Sequence, residues 1–169
     1  VIPQLRGDLK SRPPADIFAE GRGLVDRGVR ELVVISQDTT DYGGDLSPRR
    51  SVEDLIEEIA AWPDLKWLRL LYAYPSEVGA RLIRLLAEEP KLCGYLDMPL
   101  QHVSDRVLKA MAREWGEKRT RGLLDRLKEK VPGLALRTTF IVGFPGETDD
   151  DFRKMVDVVE GGYFEHVGI

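Results

Sequence analysis

The stretch Ala135–Glu147, ALRTTFIVGFPGE, followed by Thr148-Asp149-Asp150-Asp151, decides the fold. Ala135–Val142 is an aliphatic and β-branched run of strand length. Gly143-Phe144-Pro145-Gly146-Glu147 is a turn built on chain-breaking residues. Thr148 is a helix N-cap, and the acids behind it occupy a first turn where the helix dipole favours negative charge. A strand, a tight turn and a helix in immediate succession form the repeating unit of a parallel α/β protein.

The same unit recurs on both sides. Strand-length runs stand at Glu31–Ser36 (ELVVIS), Lys66–Tyr72 (KWLRLLY), Tyr95–Pro99 (YLDMP) and Phe164–Ile169 (FEHVGI). Several are nearly all apolar, which predicts strands covered on both faces. Helical stretches open at Ser11-Arg12-Pro13-Pro14, Ser51-Val52-Glu53-Asp54, Ser76 after Pro75, and Ser104-Asp105. Spacing of about 30 residues per unit predicts right-handed βαβ crossovers. An open doubly wound sheet and a barrel both satisfy this pattern. A closed eight-stranded barrel takes roughly 250 residues and does not fit five strands.

Composition narrows the class. The chain has 169 residues with net charge −4, so no global basic field draws nucleic acid. Hydrophobic content of 43% and charged content of 32% are those of a globular domain with a real core. One cysteine excludes a disulfide framework and any metal or iron–sulfur site made from this chain's thiolates alone. Cys93 is expected to be a small buried hydrophobe. No apolar run reaches 18 residues, so a cytoplasmic location without a membrane partner is expected. The chain starts on Val1-Ile2-Pro3 and stops on Ile169 within an apolar run, and both ends read as cut.

In parallel α/β folds, ligands sit on the loops that follow the strands. Here those loops are Gln37-Asp38-Thr39-Thr40-Asp41-Tyr42-Gly43, Tyr72-Ala73-Tyr74-Pro75-Ser76, Pro99-Leu100-Gln101-His102 and Gly143–Glu147. Together they predict a pocket for a polar, partly planar small molecule. Each also has a plain structural role open to it. Asp38 can close an Asx turn. Tyr72 can pack against a helix, and His102 can be a satisfied structural histidine. Gly143–Glu147 can be a simple turn, and Arg113 a solvated charge. The acids after Thr148 argue against a phosphate cradle. Arg137 shares a strand face with Thr139 and needs a partner or a ligand. Arg6, Lys10 and Arg12 read as a solvated basic arm diluted by Asp8. No hydrolase nucleophile motif, P-loop, Rossmann glycine fingerprint or zinc motif is present in the sequence.

Over essentially its whole length the chain resembles the radical S-adenosylmethionine (SAM) methylthiotransferases. The resemblance is carried by Ile2-Pro3-Gln4-Leu5-Arg6-Gly7, Ser11-Arg12-Pro13, Gln37–Gly43, Arg69–Pro75 (RLLYAYP), Tyr95–His102 (YLDMPLQH), Arg106-Val107-Leu108-Lys109 and Leu136–Glu147. Within the family, Pro3–Gly7 and Gln37–Thr40 resemble the branch that methylthiolates an aspartate of a small-subunit ribosomal protein. The tRNA-modifying branch and a non-catalytic α/β scaffold are the alternatives.

The resemblance implies a partial (β/α) barrel of the radical SAM type. It implies SAM and two [4Fe-4S] clusters in the full-length enzyme, none of them ligated by this chain. It also implies an electron donor such as flavodoxin. The family's three-cysteine motif ends immediately before the position of Val1. Residues 1–169 are therefore expected to be an incomplete radical SAM core, lacking its first strand, its amino-terminal second-cluster domain and its TRAM domain, and to be inactive alone. By the resemblance, Gln37 meets the methionyl end of SAM, Gln101 and His102 lie near its ribose, and Arg113 meets its carboxylate. Val142, Gly143 and Phe144 pack its adenine, Asp38 and Tyr72 face the substrate, and Asp97 and Arg137 form a supporting pair. An opened barrel is expected to expose a sheet edge and an apolar interior.

Overall fold

The computed structural model describes residues 7–113 and 115–169. The Ile2–Arg6 part of the resemblance and the Arg6 part of the basic arm lie outside them. The chain begins with α1 (Pro14–Asp26), continues through β1 (Glu31–Val34), α2 (Val52–Ala60), β2 (Trp67–Leu70), α3 (Ala80–Glu88) and β3 (Leu92–Asp97), and then α4 (Asp105–Ala110) and α5 (Glu117–Lys130). It ends with β4 (Ala135–Thr139), α6 (Asp149–Glu160) and β5 (His166–Gly168). All strands are parallel, and their order in the sheet is their order in the chain. With right-handed crossovers, that order puts every crossover helix on one side of the sheet. This is the winding of a barrel wall. A doubly wound sheet would reverse its strand order at a switch point, and this sheet does not.

Local chemistry sets the helix starts. Ser51 and Thr148 each cap a helix reciprocally with the acid three residues on, Asp54 and Asp151. Pro14 sits in the first turn of α1. The third helix starts at Ala80 rather than at Ser76. Pro75–Glu77 forms a single 3-10 turn first, and Val78 then turns into the core. The third strand runs over Leu92–Asp97 instead of Tyr95–Pro99, because Leu92 is buried and pairs with Leu68.

The core lies between the sheet and its helices. Leu68, Leu70, Leu96 and Leu136 face it from the strands, against Leu55, Ile56, Leu82, Leu123 and Leu127 from α2, α3 and α5. Truncating one such leucine to alanine costs about 3–5 kcal/mol.

The other face of the sheet was expected to be covered and is not. Val33, Ile35 and Trp67 are exposed there. Nor is this interior purely apolar. Arg69 Nε donates to Glu31 Oε1 at 2.7 Å, its guanidinium lies 5.1 Å from the Tyr95 ring centroid, and Arg137 pairs with Asp97. Cys93 belongs to this face. It is half-buried rather than buried, and burial pushes its thiol pKa up. β1 pairs only with β2, so its outer edge is free among the described residues.

Candidate functional site

Parallel strands deliver their following loops to one end of the sheet, and hydrogen bonds stitch these loops together there. Thr39 is buried beneath the first loop. Its Oγ1 accepts from Ser36 N at 3.0 Å and donates to Leu71 O at 2.6 Å, and its N–H donates to Tyr72 O at 3.0 Å. Thr40 Oγ1 accepts from Tyr74 N at 2.9 Å. The first and second loops are thus one assembly. Asp97 binds the second loop to the third strand, its carbonyl accepting from Ala73 N at 2.8 Å and its Oδ2 from Tyr72 N at 3.4 Å. Gln101 joins the third loop to the fourth. Its N–H donates to Thr139 O at 2.9 Å, and its carbonyl accepts from Ile141 N at 2.7 Å.

Gln37, Asp38, Tyr72, Gln101, Val142, Gly143 and Phe144 stand on this assembly. Gln37 is exposed. Asp38 Oδ1 accepts from Thr40 N, Thr40 Oγ1 and Asp41 N at 3.0, 2.6 and 3.2 Å, the Asx turn that its sequence allowed. Tyr72 is 42% exposed, so it does not pack under a helix. Ile141 and Val142 are exposed apolar groups at the end of β4, and Gly143, at φ +73°, has open space where a Cβ would stand. Phe144 N–H donates to Glu147 Oε2 at 3.0 Å, which closes the turn.

Tyr72 (φ 57°) and Gln101 (φ 69°) hold left-handed backbone. A non-glycine residue there costs about 1–2 kcal/mol. Tyr72 and Gln101 are thus held at the sheet's carboxyl end at a conformational cost, and Ala112 (φ 56°), after α4, bears the same cost.

His102 sits differently. It is 1% exposed, and its Nδ1 accepts from Val103 N and Ser104 N, both at 2.9 Å. The ring is therefore neutral, with its proton on Nε2, which lies 3.8 Å from Glu147 Oε1. Burial pushes its pKa down, against the pull of the Glu147 carboxylate. His102 faces inward, between the third and fourth loops, and shapes both.

Arg113 also stands apart. Its guanidinium lies 5.2 Å from the Tyr74 ring centroid and lines a small recess with Leu100, Leu108 and Trp115. It reaches the site through the second loop, on the helix-covered side.

The start of α6 is occupied by a carboxylate of its own. Asp151 fills it, accepting from Thr148 N at 2.9 Å and Thr148 Oγ1 at 2.6 Å, and also bonding Ser104 and Arg106. These donors, Ser104 first, hold its carboxyl well below the usual carboxylate range. Sequence reading placed the acid there but missed the second helix it ties down.

The donor sets separate two cofactors. An iron–sulfur cluster needs several thiolates, and the described residues offer one half-buried thiol. Among them no three His, Cys, Asp or Glu side chains gather as a metal site. The chain's own described residues do not fit a cluster. The chemistry of the loop assembly is compatible with a nucleoside: exposed Ile141 and Val142 stand beside the open Gly143, and Gln37 and Gln101 carry amides. A cavity of about 350 Å³ between α1 and β1 is mostly apolar, lined by Ile17, Leu24, Leu32, Val34 and Leu55, and meets the first loop at Ser36, Asp38, Thr39 and Tyr42.

Comparison with known proteins agrees with this geometry. The family model of the radical SAM superfamily matches residues 2–159. Curated relatives named ribosomal protein uS12 methylthiotransferase RimO, from Citrifermentans bemidjiense and Geotalea uraniireducens, are each 52% identical over 169 residues. That is the whole of this chain and 38% of each relative's length. The solved structure of Methanocaldococcus infernus Elp3 with an amino-terminal deletion superposes with a TM-score of 0.53 at 16% identity. It covers 93% of this chain and 43% of that one, and it supports the fold alone. A parallel sheet wound as a barrel wall and a family match over residues 2–159 place the chain in the radical SAM superfamily.

Proposed function

We propose that the chain is the SAM-binding core of a methylthiotransferase that modifies an aspartate β-carbon of ribosomal protein uS12. The observation that carries the reading is identity of 52% over all 169 residues to relatives bearing that name. SAM lies across the carboxyl end of the sheet. Ile141, Val142, Gly143 and Phe144 take its adenine, Gln101 its ribose, and Gln37 its methionyl end. His102 acts by shaping the loops, not by touching the ligand. Arg113 braces Tyr74 and approaches the SAM carboxylate from behind the second loop. Asp38 and Tyr72 face the substrate.

A cluster held by thiolates from elsewhere would supply the electron for SAM cleavage. Its thiolates come from outside the described residues, along with the second cluster and an electron donor such as flavodoxin. With a single cysteine, residues 1–169 alone do not carry the reaction. The chain's own contribution is to bind SAM and to orient the polypeptide substrate.

The test is a chimera in which residues 1–169 replace the matching segment of the Citrifermentans bemidjiense relative. Incubated with SAM, reductant, uS12 and tRNA, it is expected to place a methylthio group on uS12, read by mass spectrometry. Modified tRNA with untouched uS12 overturns the reading.

A further inference from the structure

Loops alone do not explain the charges on the open face of the sheet. Arg137 stands in the middle of that face, in the row Asp97, Arg137 and His166. Its neighbours Leu136 and Thr138 are buried on the helix side, so strand alternation turns Arg137 toward the open face. Arg137 Nη1 donates to Asp97 Oδ1 at 2.8 Å. The Asp97 side chain is 2% exposed and the Arg137 side chain 42%. The other oxygen of Asp97 is held by Tyr72 N. A buried carboxylate, fixed from two sides, therefore grips the guanidinium by one nitrogen.

Among the described residues the Nε–Nη2 edge of Arg137 makes no hydrogen bond. Guanidinium is a rigid fork of five donors, and such an edge matches the two oxygens of a carboxylate. An arginine that merely completed the sheet would use its donors on the sheet. Arg69, the other arginine of this face, does so: its Nε is bonded to Glu31 and its plane lies against Tyr95. The Arg137 side chain is solvent-accessible, and exposed Tyr72 shares Asp97 with it through its backbone N–H. A carboxylate meeting that edge stays on the far side of the guanidinium from Asp97.

We propose that Arg137 binds the side-chain carboxylate of the substrate aspartate as its polypeptide enters the open face, with Asp97 as the residue that positions the guanidinium. The proposal rests on the uS12 reading and deepens it by naming a specificity-determining residue. A guanidinium edge rejects the uncharged isostere, because the asparagine amide offers one acceptor where the edge has two donors and sets its own NH2 donor against the other.

The test uses the same full-length chimera and two fluorescent peptides from uS12, one with the target aspartate and one with asparagine in its place. Anisotropy titration gives the two affinities. The unmodified chimera is expected to bind the aspartate peptide roughly ten-fold or more tighter, the range of a charge-assisted hydrogen bond. Arg137→Gln is expected to erase the difference, and Arg137→Lys to keep part of it. Equal affinity of the unmodified chimera for both peptides overturns the proposal without recourse to any variant. So does discrimination that survives in Arg137→Gln. Methylthiolated uS12 without Arg137-dependent discrimination sinks this inference alone, whereas methylthiolated tRNA with untouched uS12 sinks the reading beneath it.

Discussion

Thr39→Val is a nearly isosteric change at a buried residue that joins two loops of the site. Thr39 is 2% exposed, so the substitution removes a hydroxyl and leaves its volume. Two hydrogen bonds go, from Ser36 N at 3.0 Å and to Leu71 O at 2.6 Å, while the Thr39 N–H to Tyr72 O bond stays. Neutral hydrogen bonds contribute about 1 kcal/mol each, and a stranded buried partner costs more. Ser36 is exposed and Leu71 half-buried, so water can reach both freed groups and the larger penalty does not apply. The expected loss is about 1–2 kcal/mol. Urea unfolding of the chain measures it, with the midpoint falling and the slope unchanged. Thr39→Ser restores the hydroxyl and is expected to recover most of the loss. A Thr39→Val protein within about 0.5 kcal/mol of wild type refutes the assignment of Thr39 as the strut.

Three further outcomes are expected. His102 is neutral and buried with a lowered pKa, so the unfolded chain binds its proton more readily than the folded one. Stability conferred by the neutral ring is complete above about pH 6.5 and falls as pH drops below it. Urea midpoints from pH 7.5 to pH 5 should show this slope, and His102→Gln should flatten it. Gly43→Ala is expected to cost more than about 1 kcal/mol. Gly43 has φ +86°, and a Cβ there would stand 2.5 Å from Arg50 O; a thermal melt within 1 °C of wild type contradicts this. Burial raises the Cys93 pKa, so its labelling by a maleimide at pH 7.5 should be slower than in urea, and equal rates would contradict its half-buried placement.

Strand count, parallel pairing and the loops of the site were legible because each rests on short-range pattern. Ala135–Thr139 announces its strand by alternation, and Thr148 with Asp151 announces the helix by a capping box. The choice between a wound sheet and a barrel wall was not legible, since both use the same unit and differ only in strand order. Leu92 was missed as a strand start because Cys93-Gly94 interrupts its β pattern, while its pairing with Leu68 overrides local propensity. The family resemblance put His102 near the ribose, while its position alone also allowed a satisfied structural histidine. Its inward orientation follows from two backbone N–H groups that no periodicity reveals. Arg137 was singled out as needing a partner, and Asp97 is that partner. The pairing of Arg69 with Glu31 went unseen, because register between distant strands sets it.

The charge pairs on the open face also govern how copies of the molecule meet. A bare sheet face bearing Val33, Ile35 and Trp67 would stack on another such face and drive out water. Stacking here would also strip water from Glu31, Arg69 and Arg137, each still about a third exposed or more. Desolvating ions that gain no new partner is unfavourable by several kcal/mol per ion. Stacking of two such faces is therefore disfavoured unless the charges of one find partners on the other, and the same condition governs any segment that enters the face.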